Sequence, residues 1–394
     1  TGQGSFWFGS SDFYNGVIDQ SLRSNQSDNN ELTFTPGSNG DAKHFTMSAW
    51  VKKVNITTGG GTRTILGVHQ GAYASFMGFR SDDTAAISLN NTYTIGTTSK
   101  FRDVAGWYHV VWVLDADNGT AANRLKCYIN GEQQTLEGKG SSADTIANTN
   151  YAFGQTNSHS IGGLGSFNGY AFDGYLAEVN FLDGQVLDPT YFGETKNGVW
   201  IPKKLSGLTY GTNGFRTTFE GTGTATSSGD VSPTNIGDDS SGNNNHFAVS
   251  GFASSDVSLD SPENNFMTFN TLHRADTSLD LREGNLHAHC DSDDGVFTTI
   301  EIPTSGKWYV EFVLAHVSKP SGVYILGNAH RTRDDWTHVA NYTSFTEGFS
   351  IQGSTNNVFE YGGTQIGSTH SNGTIYAFLI DVDNSTYDIY QNDT

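Results

Sequence analysis

The sequence predicts an all-β protein, and three observations carry the prediction. Glycine supplies 47 of 394 residues and is interspersed with Asn, Ser and Thr, the composition of many short strands joined by turns. No long stretch carries apolar residues at helical spacing. The run Phe172 to Pro189, FDGYLAEVNFLDGQVLDP, alternates with period two. Tyr175, Ala177, Val179 and Phe181 point one way and Leu176, Glu178, Asn180 and Leu182 the other, giving one apolar face and one mixed face. Asp183-Gly184 closes the strand with turn chemistry, and Asp188-Pro189 marks the next stop.

The remaining elements follow in chain order. Thr1 to Gly16 holds five aromatics (Phe6, Trp7, Phe8, Phe13, Tyr14), an apolar load that needs covering, by its own domain or by a neighbour. Ile18 to Phe34 gives the opening strands, and Phe45, Met47, Ala49 and Val51 then alternate with Thr46, Ser48, Trp50 and Lys52. Asn55 to Thr62 is a flexible connection and not a phosphate cradle, because it lacks the Lys-Ser/Thr ending and a following helix. Strands continue over Arg63 to Val68, Ser75 to Arg80, Ala85 to Asn90 and Tyr93 to Thr97. Trp107 to Leu114 is apolar on both faces except at His109, so it belongs mid-sheet with His109 as a satisfied core histidine. Asn130-Gly131 signals a tight hairpin after Leu125 to Ile129. From 203 to 270 the composition turns to Gly, Thr, Ser and Asp, which reads as a connector with a short strand near Phe215 to Phe219. A second β unit occupies 271–394: Lys307 to Leu314 places Trp308, Val310, Phe312 and Leu314 on one face, and Tyr376 to Asp383 and Tyr387 to Asn392 form a meander.

Charge and cysteine content narrow the function. Lys plus Arg total 21 against 41 Asp plus Glu, a net charge of −20, which repels nucleic-acid backbones and argues against DNA or RNA binding. Cys127 and Cys290 fall in different predicted domains, so no disulfide framework is implied. No run is long enough to span a bilayer, and Thr1 to Asp19 has neither the basic nor the apolar region of a secretion leader. The expectation is synthesis in a reducing cytosol and no membrane insertion.

The order of motifs resembles the laminin-G/concanavalin-A-like jelly-roll superfamily: SAW at 48–50, WYHV at 107–110, KCYING at 126–131 and FDGYLAEVNF at 172–181. Asp238 to His246, DDSSGNNNH, resembles a signature that opens such domains, although no second copy of the strand motifs follows it. SGKWYVEF at 305–312, GVYILG at 322–327 and YAFLIDVD at 376–383 resemble the SPRY fold. Together they are similar to two-part virion proteins of marine bacteriophages. The resemblance implies an N-terminal arm at 1–16, a jelly-roll sandwich at 17–202, the connector at 203–270 and a SPRY-like sandwich at 271–394. In the last, Gln391 to Thr394 reads as a turn into a further strand, so Thr394 is not expected to be the natural C-terminus.

The ExDxxE signature of the sandwich-fold glycanases is absent, and Glu178 with Asp183 is spaced by five across a strand end. GxSxG, HExxH and zinc-type Cys-His spacing are absent too. A non-enzymatic role follows. Two site expectations remain. Arg331, Arg333, Asp335, Trp336 and Tyr342 lie in one loop with the mix of aromatic and polar groups that holds sugars, with Trp336 either facing the ligand or capping the core. Asp238, Asp239, Ser240 and Asn243 around Gly242 supply oxygens suited to calcium, or else a plain Asx-rich turn. The family context implies a virion-surface appendage or fibre-like protein that binds host-surface glycan and other virion proteins, as a homo-oligomer, trimeric if a fibre. The alternatives are a decoration protein binding only virion partners and a glycan depolymerase.

Overall fold

The computed structural model describes residues 16–56, 61–71, 73–90, 93–138, 146–165, 169–228, 234–274, 279–289, 294–315, 321–325, 349–352, 357–359 and 371–392. They fall into two compact units divided between Asn265 and Phe266. As the glycine-rich, turn-rich sequence predicts, the structure is nearly all β. Among the described residues the helices are single 3-10 turns such as Pro189–Tyr191, and none is long and apolar enough to cross a membrane.

The strands of the first unit are β1 (Ser21–Ser24), β2 (Glu31–Phe34), β3 (His44–Lys53), β4 (Arg63–Gln70), β5 (Tyr73–Phe79), β6 (Thr84–Leu89), β7 (Tyr93–Lys100), β8 (Trp107–Asp115), β9 (Leu125–Ile129), β10 (Glu132–Gln133), β11 (Leu136–Gly138), β12 (Ser158–Ile161), β13 (Gly174–Asp183), β14 (Gly193–Lys196), β15 (Val199–Pro202), β16 (Phe215–Thr217), β17 (Ala248–Ser250) and β18 (Val257–Ser258). They form two large antiparallel sheets, ordered β10-β9-β8-β3-β13-β1-β18 (with β16 also on β13) and β11-β7-β6-β5-β4-β12-β2-β17, and the small antiparallel pair β14-β15. The inner faces of the two large sheets enclose one core. Phe45, Met47, Trp112, Leu176 and Phe181 come from the first sheet, and Leu32, Leu66, Met77, Phe79 and Ile87 from the second. Alternation on β3 and β8 drives this packing, since the apolar set must leave water on one face. β8 sits mid-sheet between β3 and β9. Asn130 and Gly131 turn the chain with φ of 50° and 80°, the left-handed pair that a two-residue hairpin needs.

Strand β13 organises the first sheet. One edge pairs with β3 along its length; the other pairs with β1 near Leu176 and with β16 near Val179. The expected alternation breaks in its middle. A bulge between Ala177 and Asn180 puts Glu178 at φ 49° and shifts the phase. Leu176, Val179 and Phe181 face the core, while Ala177 packs outside against Trp50 and Ile18, and Tyr175 packs outside beside Trp107.

Residues 203–265, expected as a connector, instead build the first unit. β16, β17 and β18 extend both sheets, and Phe215, Phe219, Ile236, Phe247, Val249 and Phe252 join its core. Asp260 reaches the outer face, where Oδ2 accepts from the fully buried Lys52 at 2.7 Å and Oδ1 from Trp107 at 3.0 Å. The division between units therefore lies at 265/266 and not at 271.

The second unit holds β19 (Phe269–Arg274), β20 (Asp280–Arg282), β21 (His287–His289), β22 (Asp294–Thr298), β23 (Lys307–Leu314), β24 (Ser321–Ile325), β25 (Phe349–Gln352), β26 (Asn357–Phe359), β27 (Thr374–Asp381) and β28 (Thr386–Gln391). Its sheets are β19-β22-β24-β25-β26, β20-β21 and β23-β27-β28. Trp308, Val310, Phe312 and Leu314 share the buried face with Tyr376 and Phe378, as the alternation on β23 predicts.

Candidate functional site

The predicted sugar loop, with Arg331, Arg333, Asp335, Trp336 and Tyr342, lies outside the described residues. The predicted calcium turn is described, and its chemistry is that of a hydrogen-bonded turn. Asp239 Oδ1 accepts from the backbone N–H groups of Arg216 and Ser241, both at 2.9 Å. Its Oδ2 accepts from Ser241 Oγ at 2.9 Å and Asn245 N at 2.8 Å. A carboxylate has about four acceptor positions, so Asp239 is filled by donors. Asn243 Nδ2 donates to the carbonyls of Gly211 and Gly214 at 2.7 and 2.9 Å. Asp238 lies 3.0 Å from His246 Nδ1, and the Ser240 backbone N–H donates to Arg216 O. These residues clip the loop to β16, and the Asp239 oxygens that a calcium ion would use are taken by these donors.

The structure puts a different constellation together, on the outer face of the first sheet. Because outward residues of β3 and β13 are register partners, Ser48 lies opposite Asn180 and Trp50 opposite Ala177. The bulge adds Glu178 to the same face. Part of this face is roofed by the chain after β13: Phe192, Leu205, Leu208 and Tyr210 pack over Val111, Val113 and Leu182. Beside that roof a cavity of about 350 Å³ stays open. Ser48, Trp50, Glu178, Asn180, Lys203, Lys204 and Arg216 line it, with Val17, Ile18 and Phe192 as apolar wall.

Its polar groups are held in place. Arg216 Nε and Nη2 donate to the two oxygens of Glu178 at 2.6 and 3.2 Å. Burial pushes the Glu178 carboxyl above the usual carboxylate range, and the Arg216 guanidinium only partly offsets it. Asn180 Oδ1 accepts from the Tyr210 hydroxyl at 2.7 Å, and its amide donates to Glu178 O. Lys203 Nζ donates to Thr190 O at 3.0 Å.

Ser48 is set by a relay. Trp200 Nε1 can only donate, and it lies 3.0 Å from His109 Nδ1. The neutral imidazole then carries its proton on Nε2, which donates to Ser48 Oγ at 2.8 Å. Trp50 stacks on the His109 ring (4.6 Å between centroids, 23°), and Trp200 lies nearly parallel to it (5.9 Å, 20°). Burial lowers its pKa to about 3, so it stays neutral across the physiological range. In this tautomer it cannot take the Ser48 proton. The hydroxyl hydrogen of Ser48 is left to donate to an acceptor in the cavity.

Sequence reasoning identified His109 as a satisfied core residue and missed the cavity. Glu178 entered it only as a partner for Asp183. One signal was present: Glu178 and Asn180 interrupt an otherwise apolar strand, and such groups are buried only when partnered. The partners Arg216 and Tyr210 came from the stretch read as a connector.

Residues 25–190 match a laminin-G-type family described as the concanavalin A-like lectin/glucanases superfamily. No curated protein matches the chain. Among solved structures, the CBM40 of the Ruminococcus gnavus IT-sialidase is 16% identical, with a TM-score of 0.27 and coverage of 41% of this chain and 94% of that one. Mouse laminin α1 domains LG4-5 are 9% identical, with a TM-score of 0.34 and coverage of 100% and 78%. Tailspike protein 2 of an Escherichia coli O157:H7 bacteriophage is 14% identical, with a TM-score of 0.29 and coverage of 51% and 29%. Two facing antiparallel sheets around one core, together with the family match over residues 25–190, give the first unit the concanavalin A-like, laminin-G-type lectin fold.

Proposed function

We propose that this protein is a non-enzymatic glycan-binding component of a bacteriophage virion, an appendage or fibre-like protein displayed on the particle surface. The observation that carries the binding part is the cavity on β3 and β13: a polar recess on a lectin-type sheet whose hydrogen-bonding groups are fixed before any ligand arrives. Preformed donors and acceptors lower the ordering cost of binding a small polar ligand. The non-enzymatic part rests on the same groups. Among the described residues Glu178 is the single carboxylate lining the cavity, and Arg216 holds both its oxygens. Glycoside hydrolysis by the common route needs two carboxyls flanking the bond. Ser48 has no base to activate it, because His109 already donates to it.

The virion part rests on the sequence resemblance, with a SPRY-like second lobe, other virion proteins as partners and a homo-oligomeric state. Synthesis in the host cytoplasm follows from the same reading. The experiment incubates purified protein with host cells and with their isolated surface polysaccharide. Adsorption without released oligosaccharide is the expected outcome. Failure to adsorb would favour a decoration protein that binds only virion partners, and released oligosaccharide would favour a depolymerase.

A further inference from the structure

We infer that the cavity on β3 and β13 selects an anionic saccharide; this rests on reading it as the glycan site. The charge of the molecule and the charge of the cavity have opposite signs. The chain carries a net −20, yet among the described residues Lys203, Lys204 and Arg216 line the cavity against one lining carboxylate, Glu178, with Glu220 near enough to act on Glu178 and Arg216. The Glu178 carboxylate is already spent on Arg216, with contacts of 2.6 and 3.2 Å. The two lysines are the uncompensated charges. Lys203 gives one hydrogen bond, to the neutral carbonyl of Thr190, and keeps two N–H donors. Among the described residues no carboxylate lies within ion-pair distance of Lys203 or Lys204.

Distance decides which charge a ligand feels. The screening length is about 8 Å at physiological ionic strength. Acidic groups scattered over the rest of the surface are therefore damped, while a ligand seated in the recess meets the lysines at contact. The other cavity groups suit a saccharide bearing one acidic substituent. The Ser48 hydroxyl is a free donor, and Trp50 and Phe192 supply apolar wall for a ring face. The acidic substituent is a carboxylate or a sulfate; both present oxygens to ammonium donors.

Binding is measured by calorimetry on the full chain with four probes: oligogalacturonate, its neutral methyl ester, sulfated dextran oligomers and plain dextran oligomers. At least one acidic probe is expected to bind tenfold or more tightly than its neutral counterpart, and the arm that does so names the substituent. Lys203→Gln/Lys204→Gln is expected to lower that affinity tenfold or more and to flatten its salt dependence, with an unchanged melting temperature. Lys100→Gln, an exposed lysine of β7 on the other sheet, controls for net charge and is expected to have no effect. Equal binding of acidic and neutral probes, or acidic binding unmoved by the double substitution, would overturn the inference while leaving a glycan site standing. Binding by none of the four would overturn the glycan reading of the cavity and this inference with it.

Discussion

His44 carries the clearest pH signature in the described chain. Its Nδ1 lies 2.9 Å from Asp41 and its Nε2 2.8 Å from Asp117, with Asp115 at 3.6 Å. Burial pulls the imidazole down, but the hydrogen bonds to Asp41 and Asp117 outweigh it, and its pKa stands above the ordinary 6.5. A raised folded pKa means the stabilisation is complete below the unfolded value and is lost as pH rises through the folded one. The group is partly open to solvent, so the effect is small, up to about 1 kcal/mol. Urea midpoints at pH 6 and pH 8 check it: His44→Gln is expected to lose stability at pH 6 and to match the unsubstituted protein more closely at pH 8. Lys52 is a larger case. It is fully buried, with Asp260 at 2.7 Å and Asn265 at 2.8 Å. Lys52→Met strands a buried carboxylate and is expected to cost about 3–5 kcal/mol, whereas Lys52→Met/Asp260→Leu is expected to recover most of it. The alternation on β3 showed that Lys52 points away from the core. Its burial was not legible, because the residue that covers it is 208 positions away.

Among the elements, strands with an uninterrupted period were legible to within a few residues, β3, β8 and β23 above all. β13 was legible as a strand but not as a surface. Its bulge leaves no trace in a polar-apolar pattern, yet it decides that Tyr175 and Ala177 face out and that Glu178 reaches the cavity. The hairpin at Asn130-Gly131 shows what local sequence can fix. The left-handed φ values of 50° and 80° are what Asn-Gly favours. Sequence could not show that Trp200 packs against this turn. A Cβ on Gly131 would stand 2.5 Å from the Trp200 ring. Gly131→Ala therefore adds a steric clash to a strained φ, and a loss of about 2–3 kcal/mol is expected in chemical denaturation. The same change is expected to move Trp200 off His109, which an altered tryptophan emission would report; unchanged stability and emission would contradict the packing described for β15.

At the level of the whole molecule, the boundary at 265/266 has energetic content. The stretch 203–265 places Phe215, Phe219, Ile236, Phe247, Val249 and Phe252 in the first core. At about 2 kcal/mol for each buried large apolar side chain, this is on the order of 10 kcal/mol before ordering costs, comparable with the net stability of a domain. A fragment from Ser10 to Asn265 is expected to melt cooperatively on its own, and one ending at Pro202 to be unfolded or aggregated. Cooperative melting of the shorter fragment would restore the connector reading. The stretch was misread because its strands are only two or three residues long and its aromatics lie far apart among Gly, Thr and Ser, so no period emerges. The cavity lay beyond reach for the same reason: Ser48, Trp50, Glu178 and Asn180 come from β3 and β13, but its basic groups, Lys203, Lys204 and Arg216, come from that stretch. Where the saccharide sits is decided by a crystal of the full chain soaked with the tightest-binding oligosaccharide. The expected density lies in the cavity, against Trp50 and within hydrogen-bonding distance of Ser48 and Lys203; a saccharide bound at the 331–342 loop, with the cavity filled by solvent, would contradict the site.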